Sequence, residues 1–346
     1  MEFANSPAAF FGPVVVCVRG PSRSGKTTLC ERLIAALEPR GIRIAYLKRT
    51  HHELDLPGKA SGRAWLRGPS AMVIRAPDRL QITVPPGDAS PRELLDALPH
   101  GIDLVLFETH STEPFPTLLS TTLDPAPGED VIGRWTLATV DEDAAAAIAP
   151  LLARLPADRA LDHALRAAMR LHGGHLCAGL VLGTRLALRG GELLGLDLPD
   201  RTKRLIVAVE TDRCAVDAVQ GVTGCRPGKR TLRLLDYGKL AATFFDQWSG
   251  EAVRVATKAG LRDLVSGHSD AGERHERQKL AYLSMNPCEL FEHQAARFSP
   301  DQFDLPGPPR RRVNCASCGE EVSDGREIAT ETGPRCRPCA APAGPR

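Results

Sequence analysis

The residues best placed to do chemistry lie in a glycine-containing turn near the start of the chain. Residues 20–28 read GPSRSGKTT, which fits the phosphate-binding pattern G-x-x-x-x-G-K-[ST]. Its glycines let the backbone curl until its N–H groups face phosphate oxygens, and a helix N-terminus adds partial positive charge. An apolar run before the turn and an amphipathic pattern after it disfavour the alternative of a chance glycine turn. The candidate phosphate-binding residues are Gly20, Ser22, Ser24, Gly25, Lys26, Thr27 and Thr28.

A magnesium site is the second chemistry that this turn predicts. We expect Lys26 to reach the terminal phosphates and the Thr27 hydroxyl to bind Mg²⁺, with an acidic residue from a neighbouring strand completing the site. Asp103 lies near the start of the apolar run at 102–107, and Glu108 lies at its carboxyl end. Ligands bind at the carboxyl ends of parallel strands, so Glu108 is preferred over Asp103. No N-K-x-D segment is present to read guanine, so the motif alone indicates a nucleoside triphosphate.

Four cysteines form two C-x-x-C pairs in the last 32 residues of the chain. They are Cys315, Cys318, Cys336 and Cys339, with 17 residues between the pairs. Four thiolates at this spacing predict a closed, tetrahedral and structural Zn²⁺ site, whose metal helps a short segment to fold.

A second metal site is expected in the middle of the chain. Residues 172–185 read HGGHLCAGLVLGTR and residues 210–229 read ETDRCAVDAVQGVTGCRPGK. The candidate ligands are His175, Cys177, Cys214 and Cys225, and Asp217 lies one helical turn after Cys214. The alternative is a set of buried thiols with a capping histidine, because no C-x-x-C spacing supports a metal here.

The elements that must position these residues divide into three segments. We predict a P-loop α/β domain over residues 1–145, an α+β domain over 157–304 and a four-cysteine zinc ribbon over 312–346. In the first domain the apolar runs predict strands. A helix is predicted after the glycine turn, and this helix ends at Gly41. The predicted strands are Val14–Val18, Ile44–Leu47, Ala71–Ile74, Leu80–Val84, Ile102–Phe107 and Trp135–Val140.

The remaining segments carry shorter signals. Residues 141–160 are rich in Ala and Pro and are interpreted as a boundary. In the second domain we predict helices at Leu161–Leu171, Cys214–Val222 and Glu289–Arg297, and strands at Leu205–Val209, Phe244–Phe245 and Val253–Ala256. Cys17, Cys30 and Cys288 are interpreted as structural residues rather than ligands.

Composition limits the classes of protein. Of 346 residues, 42% are hydrophobic and 25% charged, which is the balance of a globular protein, and the net charge of +2 argues against nucleic-acid or membrane partners. No run of about 18 apolar residues is present, so no membrane span is expected. The opening residues lack a basic start followed by an apolar run and a cleavage site, so a cytoplasmic location is expected. The ten cysteines are unevenly placed, and such clustering in a cytosolic chain favours metal binding over disulfides.

The first domain resembles the molybdopterin-guanine dinucleotide biosynthesis adaptor protein B family. Besides the P-loop, the resemblance rests on KRTHH at 48–52, DLPGK at 55–59, GPSAMVI at 68–74 and DLVLFE at 103–108. It departs at Ala60, where the family usually has an acidic residue, and at Thr109, where it usually has glycine. The resemblance implies GTP binding, GTPase activity that is slow at most, a role for His51 and His52 at the site, and a nucleotidyltransferase partner.

The middle domain resembles the FmdE family, which takes its name from formylmethanofuran dehydrogenase. The shared pattern is a His-x-Cys segment at 175–177, then Cys214, Asp217 and Gln220, the Thr-Gly-Cys at 223–225 and DYGK at 236–239. This chain departs from the family's His-Gly-His at Gly174, and from its usual proline at Ala178. The resemblance links the chain to molybdenum and tungsten enzymes.

Three functions follow as hypotheses. The first is a GTP-binding factor for molybdenum or tungsten cofactor maturation, with a client molybdoenzyme, molybdopterin as a candidate ligand and a homodimer implied by the resemblance. The second is a small-molecule kinase, for which Asp55 or Glu108 would have to serve as the base. The third is a non-enzymatic scaffold in which the nucleotide is a switch.

Overall fold

The computed structural model describes residues 12–48, 67, 72–75, 77–83, 95, 97–99, 101–266, 271–298 and 300–341. The chain divides into two compact units, Met1–Arg159 and Ala160–Arg346. Within the described residues, no helix combines the length and the apolar character needed to cross a bilayer. The predicted boundaries at 145, 157, 304 and 312 stay predictions.

The first unit is built on a parallel five-stranded sheet. Its elements are β1 (Val14–Arg19), α1 (Lys26–Leu37), β2 (Ile44–Lys48), β3 (Met72–Arg75), β4 (Leu80–Thr83), β5 (Leu104–Thr109), β6 (Thr117–Ser120), β7 (Val131–Trp135) and α2 (Val140–Leu152). The sheet order is β2-β5-β1-β6-β7, and β3 pairs with β4 in a separate antiparallel hairpin. Every residue of β5 is buried, as expected of a strand covered on both faces of a parallel sheet.

Two apolar layers hold this sheet. On one face, α1 and α2 pack on β1 and β5 through Leu29, Leu33 and Leu151, all almost fully buried. On the other face lies a smaller cluster that includes Cys17 and Phe107. The prediction that Cys17 and Cys30 are core residues is confirmed, because each is 1% exposed. These layers fix β1 and α1, and therefore the turn that joins them.

The end of the first unit corrects one prediction. The last strand is β7 at Val131–Trp135, not Trp135–Val140, because residues 137–139 form a 3-10 turn and α2 begins at Val140. Residues 141–160, interpreted as a boundary, include the division between the two units at Arg159 and Ala160, and much of this segment is helical. There α2 fills Val140–Leu152 and packs against α1, with acidic residues in its first turn that complement the helix dipole.

The second unit is an α+β fold with a five-stranded sheet. Its elements are α3 (Arg159–Leu171), α4 (Ala178–Leu193), β8 (Leu205–Val209), α5 (Ala215–Thr223), β9 (Leu232–Leu234), β10 (Ala241–Asp246), β11 (Ala252–Thr257), α6 (Leu261–Ser266), α7 (Ala271–Ser284), α8 (Pro287–Leu290) and β12 (Phe291–Ala295). The sheet order is β12-β11-β10-β8-β9, antiparallel except for β8 with β9. The helix predicted at Glu289–Arg297 is wrong, because α8 ends at Leu290 and residues 291–295 pair with β11.

A short ribbon completes the second unit. It contains two hairpins, β13 (Arg312–Asn314) with β14 (Glu321–Ser323) and β15 (Ile328–Thr330) with β16 (Gly333–Arg335), followed by α9 (Arg337–Ala340). The Asp324 carboxylate, 1% exposed, accepts hydrogen bonds from the Arg230 guanidinium and from the Arg310 and Arg311 amides. Arg326 bonds Asp304 at 2.6 Å. These contacts hold the ribbon against the strand-β9 side of the α+β fold.

Candidate phosphate loop and metal centres

The turn between β1 and α1 has a backbone that requires its glycines. Gly25 precedes α1 with φ 97°, in the left-handed region that side chains rarely adopt. A methyl group there would lie 2.7 Å from Leu137 Cδ1. A methyl group on Gly20 would lie 3.1 Å from Trp135 and 2.8 Å from Ser24 Oγ. The sequence motif is therefore matched by a tightly curled loop at the N-terminus of a helix.

Lys26 lies within this curl. Its Nζ donates to Gly20 O at 3.0 Å and Pro21 O at 2.7 Å, and the side chain is buried. Burial lowers the pKa of Lys26, and the nearby Glu108 carboxylate opposes that change. Nδ1 of His110, at the end of β5, donates to Gly20 O at 3.1 Å and lies 3.5 Å from Lys26 Nζ. The loop mouth thus carries an ammonium group and an imidazole.

Glu108 meets Thr27 at the carboxyl end of β5. The Thr27 hydroxyl donates to Glu108 Oε2 at 2.8 Å, Tyr46 also donates to Oε2, and Lys48 Nζ lies 3.1 Å from Oε1. Burial alone would raise the pKa of Glu108, but the hydrogen bonds from Tyr46, Thr27 and Lys48 bring it below its usual value. The carboxylate is therefore charged at neutral pH and lies beside the hydroxyl that P-loops offer to Mg²⁺.

Asp103, the alternative to Glu108, lies at the opposite end of the sheet. It accepts the Arg43 amide at 2.8 Å, a structural contact just before β2. Of the other loop candidates, Ser24 bonds Pro21 O at 2.8 Å, Ser22 and Thr27 are exposed, and Thr28 is half-buried. His51 and His52 lie outside the described residues.

Three residues at this site were given no role by the sequence analysis: Tyr46, Lys48 and His110. Tyr46 and Lys48 lie at the carboxyl end of β2, and His110 directly follows β5. Their positions near the carboxyl ends of two strands could have identified them. Strands β2 and β5 are neighbours, and their carboxyl ends lie at the edge of the sheet where P-loop ligands bind.

An ion pair anchors the entry to the loop. Arg19, the last residue of β1, donates to both carboxylate oxygens of Glu129 at 2.8 and 2.6 Å and to Asp124 O. The two side chains are 9% and 0% exposed. The pKa of Glu129 is lowered, first by the hydrogen bonds from Arg19. This pair ties the residue before Gly20 to the segment between β6 and β7.

In the second unit, the candidate ligands converge differently from the prediction. His172, Cys177 and Cys214 bring one nitrogen and two sulfurs within 4.8 Å of one another. His172 Nδ1 lies 2.7 Å from the Asp217 carboxylate and so donates to it, which leaves the Nε2 lone pair facing Cys177 Sγ at 3.9 Å. A carboxylate behind a histidine is the usual arrangement around a metal-binding imidazole. The donor set therefore fits a three-ligand metal centre.

Two predicted ligands are not part of this cluster. His175 is exposed, because Gly173 and Gly174 both take left-handed conformations and turn the chain after α3, so that His172 lies at the cluster instead. Cys225 is buried elsewhere, with its thiol donating to Leu205 O at 3.4 Å, and burial raises its pKa to about 11. Cys177 also caps the N-terminus of α4, where its sulfur accepts the Leu180 amide.

The ribbon cysteines come together as predicted. Sulfurs of Cys315, Cys318, Cys336 and Cys339 lie within 4.8 Å of one another. Cys315 Sγ accepts the amides of Ser317, Cys318 and Cys336 at 3.3–3.5 Å. The pKa of Cys315 is lowered to about 6, first by the Cys318 amide and then by that of Cys336. A thiolate stabilised by amides in a four-sulfur cluster fits a structural Zn²⁺ site.

The fold and the loop define the first unit as a P-loop domain, with a Cys/His-bearing α+β domain and a four-cysteine ribbon after it. Residues 15–121 match the family of molybdopterin guanine dinucleotide synthesis protein B, MobB. Residues 172–293 match FmdE, described from the molybdenum formylmethanofuran dehydrogenase operon. The chain therefore contains a MobB domain and an FmdE domain, as the sequence motifs predict.

Individual relatives cover only parts of the chain. It is 38% identical over 106 residues to the molybdopterin-guanine dinucleotide biosynthesis adapter protein of Haemophilus influenzae, which is 30% of this chain and 60% of the relative. The Escherichia coli adapter protein is 42% identical over 60 residues, which is 17% of this chain and 34% of the relative. A probable S-adenosyl-L-methionine-binding protein of Archaeoglobus fulgidus is 33% identical over 102 residues, covering 29% and 28%. The chain thus spans 28–60% of the length of these relatives.

Two solved structures align with parts of the chain. A tungsten formylmethanofuran dehydrogenase FmdE-like protein from Syntrophus aciditrophicus aligns at 21% identity and TM-score 0.37, over 52% of this chain and 91% of its own. Bacillus subtilis MobB aligns at 20% identity and TM-score 0.32, over 42% of this chain and 99% of its own.

Proposed function

We propose that the protein is a cytoplasmic, GTP-binding accessory factor in the biosynthesis or maturation of the molybdenum (or tungsten) cofactor, assisting formation or delivery of its guanine dinucleotide form. The observation that carries the proposal is the pair of Thr27 and Glu108, 2.8 Å apart at the mouth of a P-loop in a MobB domain. Thr27 and Glu108 would hold Mg²⁺, and Lys26 would neutralise the charge of the last phosphates. The partners would be a molybdenum cofactor nucleotidyltransferase and a client molybdoenzyme.

Binding rather than rapid hydrolysis is the activity that we assign to this site. Rapid phosphoryl transfer needs a base or a residue that orients the nucleophile, besides the metal and the lysine. Glu108 is already engaged by Tyr46, Thr27 and Lys48, which lower its pKa and make it a poor proton acceptor. This favours an accessory factor over a small-molecule kinase.

Calorimetric titration of the full chain with GTP and ATP, each with and without Mg²⁺, tests the proposal. We expect magnesium-dependent binding with a preference for GTP, and loss of binding in Lys26→Ala. A cell carrying Lys26→Ala should contain less guanine dinucleotide cofactor than one carrying a matched exposed change, Lys229→Ala. Transfer of labelled phosphate from ATP to a metabolite would instead identify a kinase, and unchanged cofactor content would refute the proposal.

We propose a second site in the FmdE domain, a metal centre held by His172, Cys177 and Cys214. Three protein ligands would leave a coordination position open for water or a substrate, whereas the four ribbon cysteines would leave none. A metal bound here would supply Lewis acidity, and Asp217 would fix the orientation of the imidazole. The ribbon would hold Zn²⁺ for structural stability.

Metal content measured by elemental analysis distinguishes these centres. We expect two metal ions per chain in the parent protein, one in Cys214→Ser and one in Cys315→Ser. Cys225→Ala is the matched control and should keep both, because the Cys225 thiol bonds Leu205 O outside the cluster. Retention of two ions in Cys214→Ser would refute the centre in the FmdE domain.

A further inference from the structure

The position of Glu108 sets the direction in which a bound nucleotide must run. β5, which carries Glu108, lies on one side of β1, and β6 and β7 lie on the other. Lys26, Thr27 and Glu108 would hold the metal and the terminal phosphates on the β5 side. The nucleoside is attached to the other end of the phosphate chain, so in a nucleotide bound in this way it would extend toward the carboxyl ends of β6 and β7.

An exposed leucine lies against the loop on that side. Leu137, two residues after β7, is 53% exposed although it is a large apolar residue. It packs directly on Gly25, because a methyl group there would lie 2.7 Å from Leu137 Cδ1 and 3.3 Å from its Cβ. One side of the leucine therefore covers the phosphate loop, while the other remains open to a ligand.

The leucine is held in place by its neighbours. Trp135 and Val140, on either side of the 3-10 turn, are buried in the core shared by α1 and α2. The Asp143 carboxylate accepts the Thr136 amide at 2.9 Å and the Thr139 hydroxyl at 2.8 Å. An apolar surface fixed in this way would require little ordering when a ligand covers it.

We propose that Leu137 is the platform on which the nucleobase packs. This inference rests on the proposed nucleotide-binding function and names a residue that contacts the base of the nucleotide. Nucleobases have flat apolar faces, and covering such a face removes it from water together with the exposed side of the leucine. A leucine contacts the face of a base and offers no hydrogen bond to its edge. The platform thus adds affinity for a nucleoside triphosphate over inorganic polyphosphate.

The test compares GTP with inorganic tripolyphosphate, which has the phosphates but no base. Both are titrated calorimetrically with Mg²⁺ into the full-length parent protein, Leu137→Ala and Leu137→Phe. We expect Leu137→Ala to weaken GTP binding about fivefold, or about 1 kcal/mol, which corresponds to covering half of a leucine side chain. Leu137→Phe should keep or strengthen GTP binding, and tripolyphosphate affinity should be the same in all three proteins. Ile82→Ala, another exposed apolar residue of the same unit, is the matched control.

The outcomes separate this inference from the function on which it rests. Equal weakening of GTP and tripolyphosphate in Leu137→Ala would overturn the platform, since the leucine would then only support the loop. Unchanged GTP binding in that variant would also overturn it. If the parent protein binds tripolyphosphate but Lys26→Ala does not, the phosphate site stands whatever the leucine variants show. If the parent binds neither ligand, both the nucleotide-binding function and the platform fail.

Discussion

Removal of the Glu129 carboxylate tests how the phosphate loop is anchored. The Arg19 side chain is 9% exposed and donates to the Glu129 carboxylate at 2.6 and 2.8 Å. In Glu129→Ala the Arg19 guanidinium loses this carboxylate and keeps only its hydrogen bond to the Asp124 carbonyl among these contacts. Breaking a buried pair in this way costs about 3–5 kcal/mol, because one charge is left without compensation. Since Arg19 directly precedes Gly20, the loss should loosen the start of the loop as well.

Hydrogen exchange followed by mass spectrometry measures this loss within one unit of a multidomain chain. A loss of about 1.4 kcal/mol raises the equilibrium constant for opening of the unit about tenfold. Amides of β1 and β5 that exchange through this opening should therefore exchange roughly two to three and a half orders of magnitude faster in Glu129→Ala than in the parent protein. Asp141→Ala is the matched control. Its ion pair with Arg32 has the same 2.6 Å distance, but the side chains of Arg32 and Asp141 are 54% and 69% exposed. Such a pair contributes about 1 kcal/mol at most. Equal effects of the two variants would refute the argument from burial.

The remaining predictions concern pH and metal. The folded pKa of Glu129 lies below its unfolded value of about 4.3, so the ion pair stabilises the first unit above that pH and stops doing so as the pH falls through the folded pKa. Exchange protection of β1 should therefore fall on acidification in the parent protein and much less in Glu129→Gln. Asp217→Ala should weaken metal retention in the FmdE domain about 10- to 100-fold, measured by competition with a chelator. Asp217→Asn, which can still accept a bond from His172, should weaken it less, and equal loss in both would count against an orienting role. Cys315→Ser should unfold the ribbon and raise proteolysis after residue 311, whereas Cys288→Ser, at an exposed cysteine outside both clusters, should not.

Local sequence signals predict the parts of the fold that depend on local geometry. Gly20, Gly25 and Lys26 lie at fixed spacings because the loop is one short curl, so its position and the strand and helix around it follow from the sequence. The same holds for the C-x-x-C pairs. Glu108 is preferred over Asp103 because only one end of a parallel strand faces the loop, and the structure places it beside Thr27.

The errors occur where tertiary contacts override local patterns. Residues 291–295 form a strand because β11 pairs with them, although their sequence does not alternate. The choice of His172 over His175 depends on two left-handed glycines and on Asp217, which is 45 residues away in the chain. Strand β6, only four residues long, has too few residues to show a period. In contrast, the acidic residues after Thr139 are a local sign of a helix start that the prediction of a strand at Trp135–Val140 overlooks.

The burial of Asp324 has a consequence for how the cysteine ribbon can act. A zinc module on a flexible tether could search for a partner independently, but this one shares a carboxylate with Arg230, a residue of the FmdE domain. Cutting the chain before Arg310 would remove that carboxylate and expose an arginine that the parent protein keeps neutralised. The ribbon is therefore a structural part of the FmdE domain and not an independent module. A protein that lacks the ribbon is expected to aggregate, and not only to lose the zinc site.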